Sequence, residues 1–234
     1  MIAFQVIASS SSGNCYLVSD GQSQVLIEAG IRYPDLRKAL NHYVTQLSGA
    51  LISHSHGDHC KSVKDVMKAG VDVYASEATL SEIGLGGHRA IAVEAGKSFA
   101  IGSWNVYPFD LRHDVQTLGF LLTNRTGERL VYISDSYYCP YTFAGLTHVA
   151  VECNYSLDIL DANIAAGSVP TALRSRLLRS HFSLEHVKEF LAANDLSKVV
   201  EIHLLHLSSG NSDEARFKRE VQEIVGCPVF VAGK

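Results

Sequence analysis

Four apolar segments of this chain each run into a histidine or an aspartate, and this repeated arrangement restricts the fold more than any other feature. "GALIS" leads into "HSHGDH", which carries His54, His56, Asp58 and His59. "WNVYPFDLRHD" reaches His113, "RLVYISD" ends at Asp135 and "VVEIHLLH" ends at His206. Rigid scaffolds carry functional groups where buried strands emerge into loops. Imidazole and carboxylate are the ligands expected for zinc, manganese or iron. One such residue at a strand end is commonplace and serves solubility or hydrogen bonding. A cluster joined by three independent strand ends points instead to a metal centre.

Within the cluster, His54 and His56 are two residues apart, so on an extended chain they point the same way. Gly57 is expected to let the backbone turn sharply. Asp58 and His59 then swing round at the start of a helix, and one loop can present ligands to two metals.

The rest of the composition narrows the class. A length of 234 residues fits one large domain or two small ones, and 47% apolar residues can fill a substantial core. The net charge of -4 gives no general attraction to nucleic acid or anionic membrane, so a nucleic-acid substrate needs a local basic patch or bound cations. The five cysteines form no CxxC pair, which speaks against a disulfide framework or zinc ribbon and suits a reducing cytoplasm. The N-terminus lacks the features of a signal peptide, and no membrane-spanning stretch is free of charge. The expectation is a cytoplasmic protein without membrane contact, compatible with a monomer or a homodimer.

The first half reads as strands broken by turns: "IAFQVIA", "CYLVSD", "QVLIEAG" and "GALIS", with a short helix after Pro34 and a helix over 59–70. Strands recur at "DVYAS", "RAIAV", "SFAI", "WNVYPFDL", "GFLLTN" and "RLVYIS". After the strand "THVAVEC" come the helices "TALRSRLLRS" and "SLEHVKEFLAAN", then the strand "KVVEIHLLHL". Asn211 or Ser212 is expected to cap a last helix, and "CPVFVAG" closes as a strand. Strands first, then strands mixed with helices, indicate two sheets with helices packed outside.

"HSHGDH" resembles the His-x-His-x-Asp-His signature of the metallo-β-lactamase superfamily. A later lone histidine, an aspartate after a strand and a final histidine follow in the same order. The resemblance covers almost the whole chain and implies an α/β (α+β) fold, a four-layer αβ/βα sandwich in a single domain over 1–234. It implies that His54, His56 and His113 hold one divalent ion and that Asp58, His59 and His206 hold a second. Asp135 would bridge the two ions, which are zinc or manganese.

Further segments resemble the YycJ/WalJ-like nucleases within that superfamily. "ASSSSGNCYLV" is similar to their Ser-Gly-Ser-x-Gly-Asn opening, with Ser10 in place of the first glycine. It offers Gly13 and Asn14 as groups that approach a phosphate or order the metal loop. "LRSRLLRSHFSLEHV" is similar to the segment in which an arginine-rich helix leads to a histidine beside the metals. That makes His181 the proton donor to the leaving oxygen and Arg174, Arg176 and Arg179 a source of positive charge. "LLHLSSGNS" matches the end of the same pattern. In "VECNYSLDIL", Tyr155 and Ser156 stand where the pattern has His-Asp, while Glu152 and Asn154 remain as support for the site. "LIEAG" places Glu28 where the family has an aspartate that orients the histidine loop.

The resemblance implies a 5′-to-3′ DNA exonuclease with Asp58 and His181 as catalytic groups. A hydroxide shared by the two ions would attack phosphorus in line with the departing sugar oxygen. The residues alone support a metal-dependent phosphodiesterase, whose partner is a DNA 5′ end or another nucleotide phosphodiester. Cyclic nucleotides and other small nucleotide esters are the alternative substrates. Thioester, lactone or β-lactam hydrolysis and an inactive nucleic-acid-binding module are the remaining readings. His42, His88, His148, His186 and His203 are expected to be structural or surface residues, and Cys60 a small buried one.

Overall fold

Alternation along the strands sorts the apolar residues into separate cores, and the cores define the layers. The computed structural model describes residues 1–232. The first sheet takes its strands in chain order: β1 (Ala3–Ser10), β2 (Gly13–Ser19), β3 (Gln24–Ile27), β4 (Leu47–Leu51), β5 (Val73–Ala75) and β6 (Ala90–Ala92). β1 to β3 are antiparallel neighbours, and β3 to β6 run parallel. Parallel strands need crossovers, which here contain α1 (Tyr33–Ala39), α2 (Gly57–Cys60), α3 (Val63–Lys68) and α4 (Glu77–Glu82).

The second sheet contains β7 (Phe99–Ile101), β8 (Trp104–Leu111), β9 (Thr117–Thr123), β10 (Arg129–Ile133), β11 (His148–Glu152), β12 (Glu201–Leu205) and β13 (Val229–Val231). Between β11 and β12 lie α5 (Leu157–Ala165), α6 (Thr171–Ser180) and α7 (Leu184–Ala193); α8 (Glu214–Val225) precedes β13.

On β2, Tyr16 and Val18 face the second sheet while Cys15 faces the helices. On β10, Leu130 and Tyr132 face the first sheet while Val131 and Ile133 face outward. One core therefore lies between the sheets, including Phe4, Ile27, Leu51, Trp104 and Phe120. A second joins the first sheet to α1, α3 and α4 through Leu36, Val63, Val66 and Leu80. A third joins the other sheet to α7 and α8 through Leu184, Val187, Phe217 and Val221. Helix, sheet, sheet, helix is the expected four-layer sandwich. Strands covered on both faces read as continuous apolar runs, which is why "RLVYI" and "HVAVE" lack polar alternation.

Strand direction brings the candidate ligands together. β8 and β10 are both antiparallel to β9, so they run the same way, and β10, β11 and β12 are parallel. His113, Asp135 and His206 follow the C-terminal ends of β8, β10 and β12, so all three emerge at one edge of the second sheet. The exit of β4 joins that edge through Leu118 N–H donating to Ser53 O at 3.0 Å and the Ser53–Ser134 hydroxyl contact at 3.0 Å.

Several local expectations are revised. The helix over 59–70 is two helices, because Ser62 bonds Ala29 O through both its backbone N–H (2.9 Å) and its hydroxyl (3.1 Å). These bonds hold the chain against the loop after β3 and break the helix at Ser62. The last helix is capped by Asp213, whose Oδ1 accepts from Arg216 N at 2.9 Å, not by Asn211 or Ser212. Helices α4 and α5 add to the elements that the sequence pattern indicates. The closing strand is observed over Val229–Val231, and Gly233 lies outside the described residues.

Candidate metal centre

Three imidazole nitrogens converge where β4 and β8 end. His54 Nε2 lies 3.1 Å from His56 Nδ1, and His113 Nε2 lies 3.3 Å from the same atom. The outer nitrogens are engaged: His54 Nδ1 with Ser53 Oγ at 2.8 Å, and His113 Nδ1–H donating to Ser180 O at 2.7 Å. Donation to a carbonyl fixes the His113 tautomer, so its inner nitrogen presents a lone pair. Burial, reinforced by the neighbouring His59, holds the His54 pKa well below the usual histidine range, and burial also lowers that of His113. Three imidazole nitrogens converging on one point, two of them on rings that burial holds toward the neutral form, are a nitrogen donor set for a divalent cation.

The second group is built differently. Ligand atoms of Asp58, His59, Asp135 and His206 lie within 4.8 Å of one another. His206 Nδ1 is 2.8 Å from Asp135 Oδ1, and His59 Nε2 is 3.4 Å from the same oxygen. Burial opposes charge on His59, but Asp135 and Glu28 outweigh it and hold its pKa well above the ordinary value. His206 is raised in the same way by Asp135 and Glu152. Asp135 is held well below the carboxylate range because His206 and His59 overcome its burial. These imidazoles neutralise a buried carboxylate in the way a bound cation would. Both groups therefore fit metal ions by donor type, convergence and local charge.

Supporting residues fix these positions. Glu28 is fully buried with a left-handed backbone (φ 62°). Its Oε1 accepts from Tyr132 Oη at 3.1 Å, its Oε2 accepts from Ser53 N at 3.3 Å, and Oε1 lies 3.4 Å from His59 Nδ1. Asn14 is also fully buried; its amide nitrogen lies 3.1 Å from His59 Nε2 and donates to Asp58 Oδ2 at 3.4 Å. It faces the metal loop and not the open cleft. Asn154 Nδ2 donates to His206 O at 2.8 Å and supports that residue's left-handed backbone (φ 53°).

The glycine requirement falls elsewhere than expected. Gly57 opens α2 without a positive φ, and a Cβ there meets nothing within 4 Å. Gly30 is the constrained position: a Cβ there would lie 1.6 Å from Asp58 O. The loop after β3 passes flush against the ligand loop, with Ala29 N donating to His59 O at 2.8 Å. Gly13 packs against the same loop, where its Cβ would meet Gly30 O at 2.6 Å.

His181 follows α6 and enters the cleft beside the second group, 3.7 Å from Asp135 Oδ2. Its Nδ1 is 2.5 Å from Glu152 Oε1, and the other oxygen of Glu152 accepts from Ser136 N and Phe182 N, both at 3.0 Å. Burial opposes charge on His181, but Glu152 prevails and the pKa is pushed up to about 9. The cleft has a volume of about 220 Å³ and is lined by Ser11, His56, Asp58, Asp114, Arg176 and His181 among others.

The three arginines separate. Arg176 lines the cleft, whereas Arg174 is paired with Asp161 (Nε to Oδ1, 2.7 Å) and Arg179 is exposed away from the lining. His203 stacks on Phe230 and packs beside Phe4, and Tyr155 is a core residue. Cys60 is half-buried with its thiol donating to Ser55 O.

The model of the Beta-lactamase superfamily domain matches residues 24–204. The chain belongs to that family. It is 26% identical over 226 residues to the protein named Exodeoxyribonuclease WalJ of Streptococcus pneumoniae, covering 89% of this chain and 82% of the relative. It is 24% identical over 246 residues to Exodeoxyribonuclease YycJ of Bacillus anthracis, covering 99% and 92%. Among solved structures, the metallo-beta-lactamase fold protein YhfI from Bacillus subtilis superposes with a TM-score of 0.75 at 16% identity, covering 100% of this chain and 98% of that one. Family membership together with the His/Asp groups makes this chain a metal-dependent hydrolase. Among the described residues, no helix is long and apolar enough to cross a membrane.

Several residues of the site carry no sequence motif. Asp114 Oδ1 lies 3.0 Å from His113 Nε2, and its only signal was adjacency in "RHD". Ser53, Ser134 and the carbonyl of Ser180 orient histidines without any motif of their own. Ser11 reaches the cleft from the β1–β2 turn.

Proposed function

We propose that this hydrolase is a phosphodiesterase that removes nucleotides from the 5′ end of DNA with the aid of two divalent ions, zinc or manganese. His54, His56 and His113 would hold one ion, and Asp58, His59 and His206 the other, with Asp135 between them. Divalent ions bound there supply a nucleophilic oxygen at neutral pH and offset charge on a phosphate.

The observation that carries this reading is the Glu152–His181 pair beside the second group. A departing sugar alkoxide needs a proton, and a charged imidazole meets that need; a departing thiolate needs none. Glu152 holds Nδ1, so Nε2 is left to donate. Asp58 lines the same cleft and would orient the nucleophile, while Arg176 would hold a non-bridging phosphate oxygen. Asn14, Glu28 and Gly13 act behind the ligands, as positioning residues. Both relatives are named exodeoxyribonucleases, which favours DNA over a small ester.

The test determines bound metal by elemental analysis, then follows cleavage of 5′-phosphorylated single- and double-stranded DNA beside a cyclic nucleotide with zinc or manganese added. Near two ions per chain, with stepwise loss from DNA 5′ ends, is the expected result. Cleavage of the cyclic nucleotide alone would replace the substrate and keep the chemistry. Absence of both metal and cleavage would overturn the reading in favour of a binding module.

A further inference from the structure

A second cavity, of about 290 Å³, opens beside the metal cleft; its lining includes Tyr138, Tyr141, Phe182, His186, Glu189 and Phe190. The two linings share no residue but are tied together by one buried carboxylate. Glu152 Oε2 accepts from Ser136 N on the Tyr138 side of the cavity and from Phe182 N on the other, while Oε1 holds His181. The proton donor and both walls are thus registered by the same buried group.

Tyr138 is 46% exposed, yet its backbone is not loose. Ser136 Oγ donates to Tyr138 O at 2.9 Å and contacts Tyr138 N at 3.2 Å, and Tyr137 N donates to Arg112 O at 3.0 Å. An aromatic ring presented to solvent on a pinned loop is a stacking face prepared in advance, so little ordering cost remains when a flat ligand binds. His186 lines the cavity edge-on to Tyr138, with ring centroids 6.3 Å apart, and its Nδ1 is buried without a partner. No lysine or arginine lines the cavity, and the carboxylate of Glu189 stands in its wall. Such a lining repels a phosphate and admits an uncharged aromatic ring with polar edges.

We propose that this cavity is a nucleobase subsite, in which a base close to the scissile phosphate stacks on Tyr138 with its edge toward His186 and Glu189. The proposal rests on the nuclease reading and adds where the strand lies: backbone over the metal groups and Arg176, base turned toward α7. A stacked base tolerates sequence variation, because every base has a π face.

The experiment uses the metal-loaded protein and 5′-phosphorylated single-stranded oligonucleotides in which one abasic residue is walked through the first few positions. In the parent, one position is expected to raise KM roughly tenfold while kcat holds, the scale of one lost base–aromatic stack. Tyr138→Ala should show the same rise on intact DNA and no further loss at that abasic position; Tyr138→Phe should behave as the parent. A cleavage-resistant phosphorothioate strand with 2-aminopurine at that position reports binding without turnover. Its fluorescence should be quenched by the parent and by Tyr138→Phe, and not by Tyr138→Ala. DNA cleavage with no abasic effect, or with the effect retained in Tyr138→Ala, would overturn the subsite and leave the nuclease reading standing. No cleavage of any DNA by the parent would remove both.

Discussion

Replacing Glu152 with glutamine isolates the charge of the pair that carries the functional reading. The side chains are nearly isosteric, and Glu152 is 1% exposed, so packing changes little. A glutamine oxygen can still accept from Ser136 N and Phe182 N, which turns the amide nitrogen toward His181 Nδ1. That nitrogen then accepts instead of donating, and the imidazolium loses its partner. With Glu152 present the His181 pKa is about 9, against about 6.5 for an ordinary histidine. A return to the ordinary value corresponds to ~3 kcal/mol of lost preference for the charged form. At pH 8 an acid of pKa about 9 is about nine-tenths protonated and one of pKa about 6.5 about 3% protonated, a ratio of roughly 30. The assay is kcat on 5′-phosphorylated DNA from pH 6 to 10, with metal content measured alongside. The parent should lose activity as pH rises through about 9 and His181 gives up its proton. Glu152→Gln should retain its metal, move that limb down to about 6.5 or lower, and fall about 30-fold at pH 8. An unmoved alkaline limb in a variant that keeps its metal would refute the assignment of His181 as proton donor.

Gly30→Ala should destabilise the protein by roughly 4 kcal/mol or more and lose metal, whereas Gly57→Ala, inside the histidine motif itself, should match the parent in thermal denaturation and metal content. Glu28→Asp withdraws a carboxylate from Tyr132, Ser53 and His59, and chelator competition should show metal affinity lowered roughly 10- to 100-fold. Arg176→Ala should raise KM for DNA and reduce the log–log salt slope of binding by roughly 0.7, while Arg174→Ala, already paired with Asp161, should leave both near the parent. Asp58→Ala and His59→Ala should each lower metal content and activity together, by elemental analysis and DNA cleavage; full metal retention in either would remove that residue from the ligand set.

The strands that carry the candidate ligands were legible because burial on both faces leaves an unbroken apolar run, and the polar residue that ends it stands out. The histidine cluster was legible because its members are neighbours in sequence. What escaped was contact between distant segments. Nothing near Ser62 announces that it bonds Ala29 O and splits a helix, since the bond depends on where the loop after β3 comes to lie. Gly57 looks like the hinge because it sits inside the motif, but its backbone is helical, and the steric demand sits at Gly30, 27 positions earlier, where Asp58 O closes in. The three arginines share one helix and read alike in sequence; the cleft reaches Arg176, while Asp161 on α5 pairs Arg174.

The two ligand groups differ in a way that bears on how the centre is kept ready. His54 and His113, both held toward the neutral form, have their outer nitrogens tied to a hydroxyl and a carbonyl, so their inner nitrogens are aimed at His56 Nδ1. The second set surrounds Asp135, where burial alone would disfavour the carboxylate; His59 and His206 supply the compensating charge. Asp58, His59, Asp135 and His206 would hold a cation there, whose charge would take the place of the imidazolium protons beside Asp135. Glu152 is the point at which this arrangement meets the chemistry. It lies 3.5 Å from His206 Nδ1 and 2.5 Å from His181 Nδ1, and it fixes the loop that presents Tyr138. One buried carboxylate thus touches His206, holds the proposed proton donor His181 and ties down the cavity wall. That is why its substitution reads out the mechanism more directly than removal of any single ligand.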